Sequence, residues 1–181
     1  MTTDLRAAAR TADGIRTRTH HWTPAPPAAS YTGLSGEQVL RAIVAGEIPA
    51  PPIASTLGFR LAEVGPGSAV FEGTTGEHLY NPLGSVHGGY LATLLDSALG
   101  CAVMSLLPAG TGYTTTQLNV HLVRPVFADT GLLRCEALAL HVGRTVATAE
   151  ARVTGVADGR LYAHGTTTCA VLPPRPAPAA P

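Results

Sequence analysis

Residues 88–107 read GGYLATLLDSALGCAVMSLL, a stretch that is apolar around nearly its whole helical circumference. A helix of this kind is buried, either in a protein core or in a membrane. Asp96 lies near its centre, where a carboxylate costs about 2.5–3.5 kcal/mol in a bilayer, and no arginine cluster or aromatic belt flanks the stretch. We therefore predict one long helix in a protein core and no membrane span.

Strand-like patterns lie on both sides of this helix. Before it, two short alternating runs meet at Gly65-Pro66-Gly67, which is typical of a hairpin. After it, four runs rich in Val, Thr and Leu predict an antiparallel meander: Thr114–Val126, Leu132–Val142, Thr145–Val156 and Leu161–Val171. An antiparallel sheet wrapped around the helix is the economical way to bury it. The predicted fold class is α+β, with one long central helix and about six strands.

The two ends of the chain differ in composition from its middle. Residues 1–33 and 173–181 contain many of the prolines and lack the apolar periodicity that would offset the entropy of ordering them. We predict that both segments are flexible tails around one folded domain over 34–172. Within this domain, 34–52 is expected to form a lead-in helix with Ser35 as its N-cap, followed by a proline-rich linker.

The composition excludes several classes of function. The chain has 12 basic residues, all of them arginine, and 12 acidic ones, so it lacks the excess positive charge that binds nucleic acids or anionic membranes. Its three cysteines form no Cys-x-x-Cys pair and no His-Glu-x-x-His motif occurs, so we predict no metal site. The first thirty residues contain no apolar signal region, which favours a cytoplasmic protein.

Candidate chemistry lies in the loop Asn81-Pro82-Leu83-Gly84-Ser85-Val86-His87-Gly88-Gly89, which leads into the long helix. The first turn of a helix has backbone N–H groups without partners, and glycine lets a carbonyl oxygen approach them closely. Asp96, two turns further on, can activate a water molecule or attack a carbonyl itself. Structural roles stay open here: a turn at Asn81, a tight helix start at the glycines and a paired core carboxylate at Asp96.

This loop, together with Leu94-Leu95-Asp96-Ser97-Ala98, resembles the signature of the hot-dog-fold acyl-CoA thioesterases of the PaaI type, related to phenylacetic acid degradation. The resemblance covers about residues 55–172. It extends to Val142-Gly143-Arg144-Thr145 and to the Asp158-Gly159-Arg160 hairpin. It implies a hot-dog fold, in which an antiparallel sheet wraps around one long helix.

The resemblance also assigns expected roles to individual residues. It implies that Gly88 donates to the oxyanion, that Asp96 is the base or nucleophile, and that Asn81 positions the water or the thioester. A substrate-binding set is implied as well, in which His87 holds the shape of the loop and Arg144 pairs with coenzyme A phosphate. This set comprises His87, Gly89, Thr115, Gly143, Arg144 and Thr145.

The function implied is hydrolysis of an acyl-CoA thioester to the free acid and coenzyme A, with coenzyme A only as part of the substrate and no other cofactor. The family implies a homodimer or a dimer of dimers with sites at the subunit interface. Two alternatives stay open: a hot-dog hydratase or dehydratase, and a non-catalytic module that binds or senses acyl-CoA. The absence of a Gly-x-Ser-x-Gly motif argues against a serine hydrolase.

Overall fold

The computed structural model describes residues 14, 16–24, 31 and 33–173. This part of the chain contains six strands, three α-helices and two short 3-10 helices, Glu77–Leu79 and Ala128–Thr130. The α-helices are α1 (Gly36–Val44), α2 (Pro52–Leu57) and α3 (Gly88–Met104). The strands are β1 (Phe59–Gly65), β2 (Ser68–Thr74), β3 (Gly112–Leu122), β4 (Leu132–Val142), β5 (Val146–Gly155) and β6 (Leu161–Leu172).

The six strands form one antiparallel sheet in the order β1-β2-β4-β5-β6-β3. The hairpin between β1 and β2 and the run β4-β5-β6 confirm the sequence prediction. The predicted meander is wrong in one respect, because β3 pairs with β6 and not with β4. Strand β2 lies along the edge of β4 that β3 would have used, with Ser68 opposite Leu138 and Thr74 opposite Leu132. As a result, β3 is an edge strand.

Helix α3 lies against one face of the sheet and forms the centre of the core. Leu94, Leu95 and Leu99 are completely buried there, and burial of each such side chain contributes about 1.5–3 kcal/mol. The close packing depends on Gly165 of β6, where an added Cβ would lie 2.5 Å from the Asn119 carbonyl oxygen and 3.5 Å from Leu95. The predicted long core helix is thus confirmed. None of the helices in the described part of the chain has the length and hydropathy needed to cross a membrane.

Two short helices precede the sheet. Ser35 caps α1 as predicted: its hydroxyl accepts from the Gln38 N–H at 3.3 Å, and the Gln38 side chain accepts from the Ser35 N–H at 2.8 Å. Helix α2 is not predicted by the sequence analysis, which assigns the prolines to a linker. Pro52 instead begins α2. The first residue of a helix needs no N–H donor, and the fixed φ of proline suits this position. Gly58, with a φ of 74°, ends this helix.

The predicted tails lie largely outside the described residues, but 16–24 are described and contact the domain. The Arg18 guanidinium donates to the Thr56 carbonyl at 3.2 Å, and the Ser55 hydroxyl donates to the His21 carbonyl at 2.6 Å. Arg16 forms an ion pair with Glu77. These contacts join the N-terminal segment to α2 and to the turn that precedes the Asn81 loop. The domain boundaries at 34 and 172 stay a prediction.

We expect the protein shortened to residues 34–172 to melt within a few degrees of the full chain. The contacts of residues 16–24 are exposed hydrogen bonds, a partly buried one between His20 and the Ser55 carbonyl, and an exposed ion pair, each worth about 1 kcal/mol. For a domain of this size, 1 kcal/mol corresponds to about 2–4 °C. Differential scanning calorimetry of the two proteins measures the difference. A much larger drop, or aggregation of the shortened protein, would place the domain boundary before residue 34.

Candidate active site

Asp96 and Thr115, which are far apart in sequence, are in direct contact. Asp96 lies half-buried in the middle of α3, and Thr115 projects from β3 toward the helix. The Thr115 hydroxyl donates to Asp96 Oδ1 at 2.9 Å. This hydrogen bond fixes the carboxylate and leaves Oδ2 available to a reactant. The sequence analysis had assigned the two residues to one site, and the fold brings them together.

Two other ionisable side chains surround Asp96. Burial, and to a smaller extent the charge of Asp96, raises the pKa of Cys101 to about 12. The same two causes, with nearby cysteines, raise the pKa of Tyr113 far above its ordinary value. Neither group ionises at neutral pH, so neither competes with Asp96 as a base or nucleophile.

The start of α3 is organised by His87. Its Nδ1 accepts a hydrogen bond from the Gly89 N–H at 2.9 Å, so the imidazole acts as the N-cap of the helix. This hydrogen bond requires the ring's proton to be on Nε2. The Gly88 N–H, by contrast, has no partner among the residues that the structure describes. Of the two glycines, Gly88 is therefore the one whose N–H can bind a ligand oxygen.

Asn81 stabilises the loop itself. Its Oδ1 accepts from the Leu83 N–H at 2.8 Å and from the Ser85 N–H at 3.3 Å, and its Nδ2 donates to the Ser85 hydroxyl at 3.1 Å. The structural role that the sequence left open at this position is therefore present. One Nδ2 hydrogen is still available to a substrate, and the role that the resemblance implies for Asn81 stays a prediction.

A cavity of about 240 Å³ opens beside Gly88. Gly88 lies close to Leu122 at the rim of this cavity: an added Cβ would lie 2.5 Å from Leu122 Cδ1, so the exposed Leu122 side chain would have to move. Leu91, Leu122 and Val126 give the cavity apolar walls, and Arg124 adds a cation. The sequence analysis missed Arg124, since an Arg-Pro pair after a strand is too common to single out.

The Gly143-Arg144-Thr145 turn joins β4 to β5. The Gly143 N–H donates to the Val146 carbonyl at 2.8 Å, and the Thr145 carbonyl accepts from the Val171 N–H at 3.0 Å. Across the sheet, Val146 lies opposite Ala170, which in turn lies opposite Thr114. The turn and Thr115 therefore lie at the same end of the sheet. Two inter-strand spacings separate them, which is about 10 Å. Arg144 is exposed and has no ion pair within the described chain.

Within one chain, the candidate residues form two groups. We call Asp96 and Thr115 the carboxylate half, and Asn81, Gly88 and the adjoining cavity the loop half. At 1.5 Å per residue, Gly88 and Asp96 lie about 12 Å apart along α3. An attacking group has to come within about 3.5 Å of the carbonyl carbon. One chain therefore does not bring its own Asp96 to a carbonyl bound at its own Gly88.

Comparison with known proteins places this geometry in a family. The sequence model of the thioesterase superfamily matches residues 83–161. The solved phenylacetic acid degradation-related protein of Ralstonia eutropha is 33% identical, over 72% of this chain and 98% of that protein, with a TM-score of 0.66. The chain belongs to the thioesterase superfamily. The sheet order and the central helix match the hot-dog fold of these structures, so the fold and the PaaI-type resemblance predicted from the sequence are confirmed.

Further relatives agree with membership of the thioesterase superfamily. The phenylacetic acid degradation protein PaaI of Thermus thermophilus is 27% identical, over 66% of this chain and 98% of that protein, with a TM-score of 0.60. Human acyl-coenzyme A thioesterase 13 is 27% identical over 132 residues, which are 72% of this chain and 93% of that protein. Two curated relatives, from Halobacterium salinarum and Caenorhabditis elegans, are matched over only about half of their length, 49% and 57%.

A metal ion is the remaining group that the described residues of this thioesterase-superfamily chain could hold. No group of three or more His, Cys, Asp or Glu side chains there is arranged to hold a metal ion. The expectation of a reaction without a metal or other cofactor stays a prediction.

Proposed function

We propose that the protein hydrolyses the thioester of an acyl-CoA to a carboxylic acid and coenzyme A. The observation that carries this proposal is the Asp96 carboxylate, fixed by Thr115 on a helix whose first N–H, at Gly88, is unbonded in the described chain. Membership of the thioesterase superfamily and a relative named acyl-coenzyme A thioesterase support it.

The residues allow a balanced reaction without another group. Asp96 Oδ2 takes a proton from water, and the oxygen of that water adds to the thioester carbon. The oxyanion accepts a hydrogen bond from the Gly88 N–H. The C–S bond then breaks, and the thiolate leaves with the proton that Asp96 holds. Direct attack by Asp96, which forms an acyl anhydride that water cleaves, uses the same two groups.

We further propose that the site is assembled from two copies of the chain. Strand β3 is a long edge strand, and its Leu122 and the following Val123 are exposed, at 54% and 52%. Such an edge is a template for pairing with another strand. In an antiparallel pair of β3 strands, the Leu122 end of one copy lies beside the Thr115 end of the other. The loop half of one protomer then faces the carboxylate half of its partner.

A dimer of dimers and a cytoplasmic location belong to the same proposal. Leu138 and Leu140 of β4 are apolar and more than half exposed, which supports a second association surface. Cys101, Cys135 and Cys169 are free thiols in the structure, which supports a reducing compartment.

One assay separates hydrolysis from the two alternative functions. The protein is incubated with a series of acyl-CoA and enoyl-CoA thioesters and a thiol reagent. Release of free thiol supports hydrolysis. A change in enoyl absorbance without thiol release indicates a hydratase, and tight binding without turnover indicates a sensor.

We expect Arg144→Ala to raise KM for acyl-CoA about tenfold, because a charge-assisted hydrogen bond to phosphate worth about 1.4 kcal/mol is lost. A pantetheine thioester, which has no nucleotide phosphates, should keep its KM. Steady-state kinetics with both substrates measure the difference. The matched control is Arg160→Ala, an exposed arginine in the β5–β6 hairpin at the opposite end of the sheet. Equal losses on both substrates would show that Arg144 acts on the structure of the turn.

A further inference from the structure

Tyr113 is a partly buried aromatic residue of β3 that the proposed mechanism does not use. It lies two residues before Thr115, so its side chain leaves the strand on the same face, the one that is turned toward α3. Its ring packs against the hydrophobic core. Tyr113 is therefore the next inward-facing side chain beyond the contact between Thr115 and Asp96.

The phenol of Tyr113 lies over Gly100 of α3. A Cβ added at Gly100 would lie 2.6 Å from the Tyr113 hydroxyl oxygen, 3.0 Å from Cε2 and 3.2 Å from Cζ. The end of the ring thus occupies the space that a side chain at position 100 would need. Gly100 is four residues after Asp96, on the same side of the helix and about 6 Å further along its axis. The phenol therefore blocks this side of α3 one helical turn beyond the Asp96 carboxylate.

The surroundings of Tyr113 are largely apolar. Besides Asp96, its ionisable neighbours are the thiols of Cys101 and Cys169, and a thiol packs as a small apolar group. The cavity of the loop half, by contrast, is lined in part by the charged guanidinium of Arg124. Covering a charged group with an alkyl chain costs free energy, whereas covering an apolar surface is favourable. An alkyl group on a carbonyl at Asp96 is therefore better accommodated toward Tyr113 than beside Arg124.

We propose that Tyr113 closes the acyl-binding end of the carboxylate half and restricts the substrate to thioesters of short acyl chains. This inference rests on the proposed thioesterase function and adds a substrate class to it. An acyl chain that starts at a carbonyl near Asp96 has about 6 Å along α3 before it meets the phenol. A longer chain has to displace a side chain that is packed against Gly100 and the core.

The test measures binding, so that it does not depend on turnover. In the Asp96→Asn background, calorimetry gives Kd for butyryl-CoA and decanoyl-CoA, with Tyr113 present or replaced by alanine. With Tyr113 present, decanoyl-CoA should bind about tenfold more weakly than butyryl-CoA. Tyr113→Ala should lower Kd for decanoyl-CoA about tenfold and leave Kd for butyryl-CoA nearly unchanged. Tyr113→Phe, which keeps the ring, should bind both ligands as the parent does.

Two further variants separate closure of the site from a role in folding alone. Gly100→Leu, added to the Tyr113→Ala protein, refills the same space from the helix and should restore the weak binding of decanoyl-CoA. If Tyr113→Ala does not fold, Tyr113→Leu removes less volume and should shift the two Kd values in the same direction.

The matched control is Leu61→Ala, which truncates a partly buried side chain that packs against the core from β1, at the opposite edge of the sheet. It should leave both Kd values unchanged. Equal changes for the two ligands on replacement of Tyr113, or no change for decanoyl-CoA, would overturn the proposal. Failure of the thioesterase function is read separately, as the absence of thiol release from either thioester by the protein with Asp96 intact.

Discussion

Replacement of Asp96 by asparagine should lower the turnover of acyl-CoA about a hundredfold or more, the scale that is typical for loss of a general base. The amide is nearly isosteric with the carboxylate, and its oxygen can still accept the hydrogen bond that Thr115 donates at 2.9 Å. The change therefore removes the basic oxygen and keeps the packing of α3. Release of free thiol under saturating substrate measures the loss.

Ser97→Ala is the control for this substitution. Ser97 is the next residue on α3, and within the described part of the chain it hydrogen-bonds only along its own helix, to the Thr93 carbonyl at 2.8 Å. Its replacement should leave turnover nearly unchanged. Activity of the Asp96→Asn protein within threefold of wild type would remove Asp96 from the proposed mechanism, provided that both variants melt at the wild-type temperature.

The second large effect is recovery of activity from two inactive proteins. Asp96→Asn damages the carboxylate half and Asn81→Ala damages the loop half. When both proteins are unfolded together and refolded, half of the dimers are mixed, and each mixed dimer has one site that contains both lesions and one that is intact. Recovery should approach a quarter of wild-type activity, on the arithmetic of a symmetric dimer with independent sites.

Two further mixtures make this result specific. Gly88→Val, which adds a branched side chain at the cavity rim next to Leu122, can replace Asn81→Ala as the loop-half lesion and should give the same recovery. Asp96→Asn mixed with Asp96→Ala damages the carboxylate half in both copies and should recover nothing. No recovery in the first two mixtures, despite demonstrated exchange of subunits, would mean that one chain provides both halves of its own site.

The parts of the fold that depend on local sequence were predictable. The apolar stretch 88–107, the glycine turn at 65–67 and the Ser35 cap each act over a few residues, and each forms the expected element. The position of β3 was not predictable in this way. It depends on whether β2 or β3 pairs with β4, a competition between strands that are separated by the whole of α3.

The candidate site shows the same limit. Asp96 and Gly88 could be singled out because a carboxylate on an apolar helix and a glycine at its start are unusual, whereas Thr115 was named only through the resemblance to PaaI-type thioesterases. The contact between Asp96 and Thr115 follows only from the path of β3 along α3, whereas the distance between Gly88 and Asp96 follows from the predicted helix itself. Arg124 was missed for a related reason. Its place in the wall of the cavity beside Gly88 becomes evident only in the folded chain.

The distance of about 12 Å between Gly88 and Asp96 is set by a continuous helix, and no change of side-chain rotamer removes it. If the site is assembled from two copies, as proposed, a monomer has no complete site and is inactive. The rate per molecule then depends on the fraction of copies that are paired. It falls when the protein is diluted below the dissociation constant of the dimer. When the amount of the chain in the cell is low, the rate of thioester cleavage would then rise more steeply than in proportion to that amount.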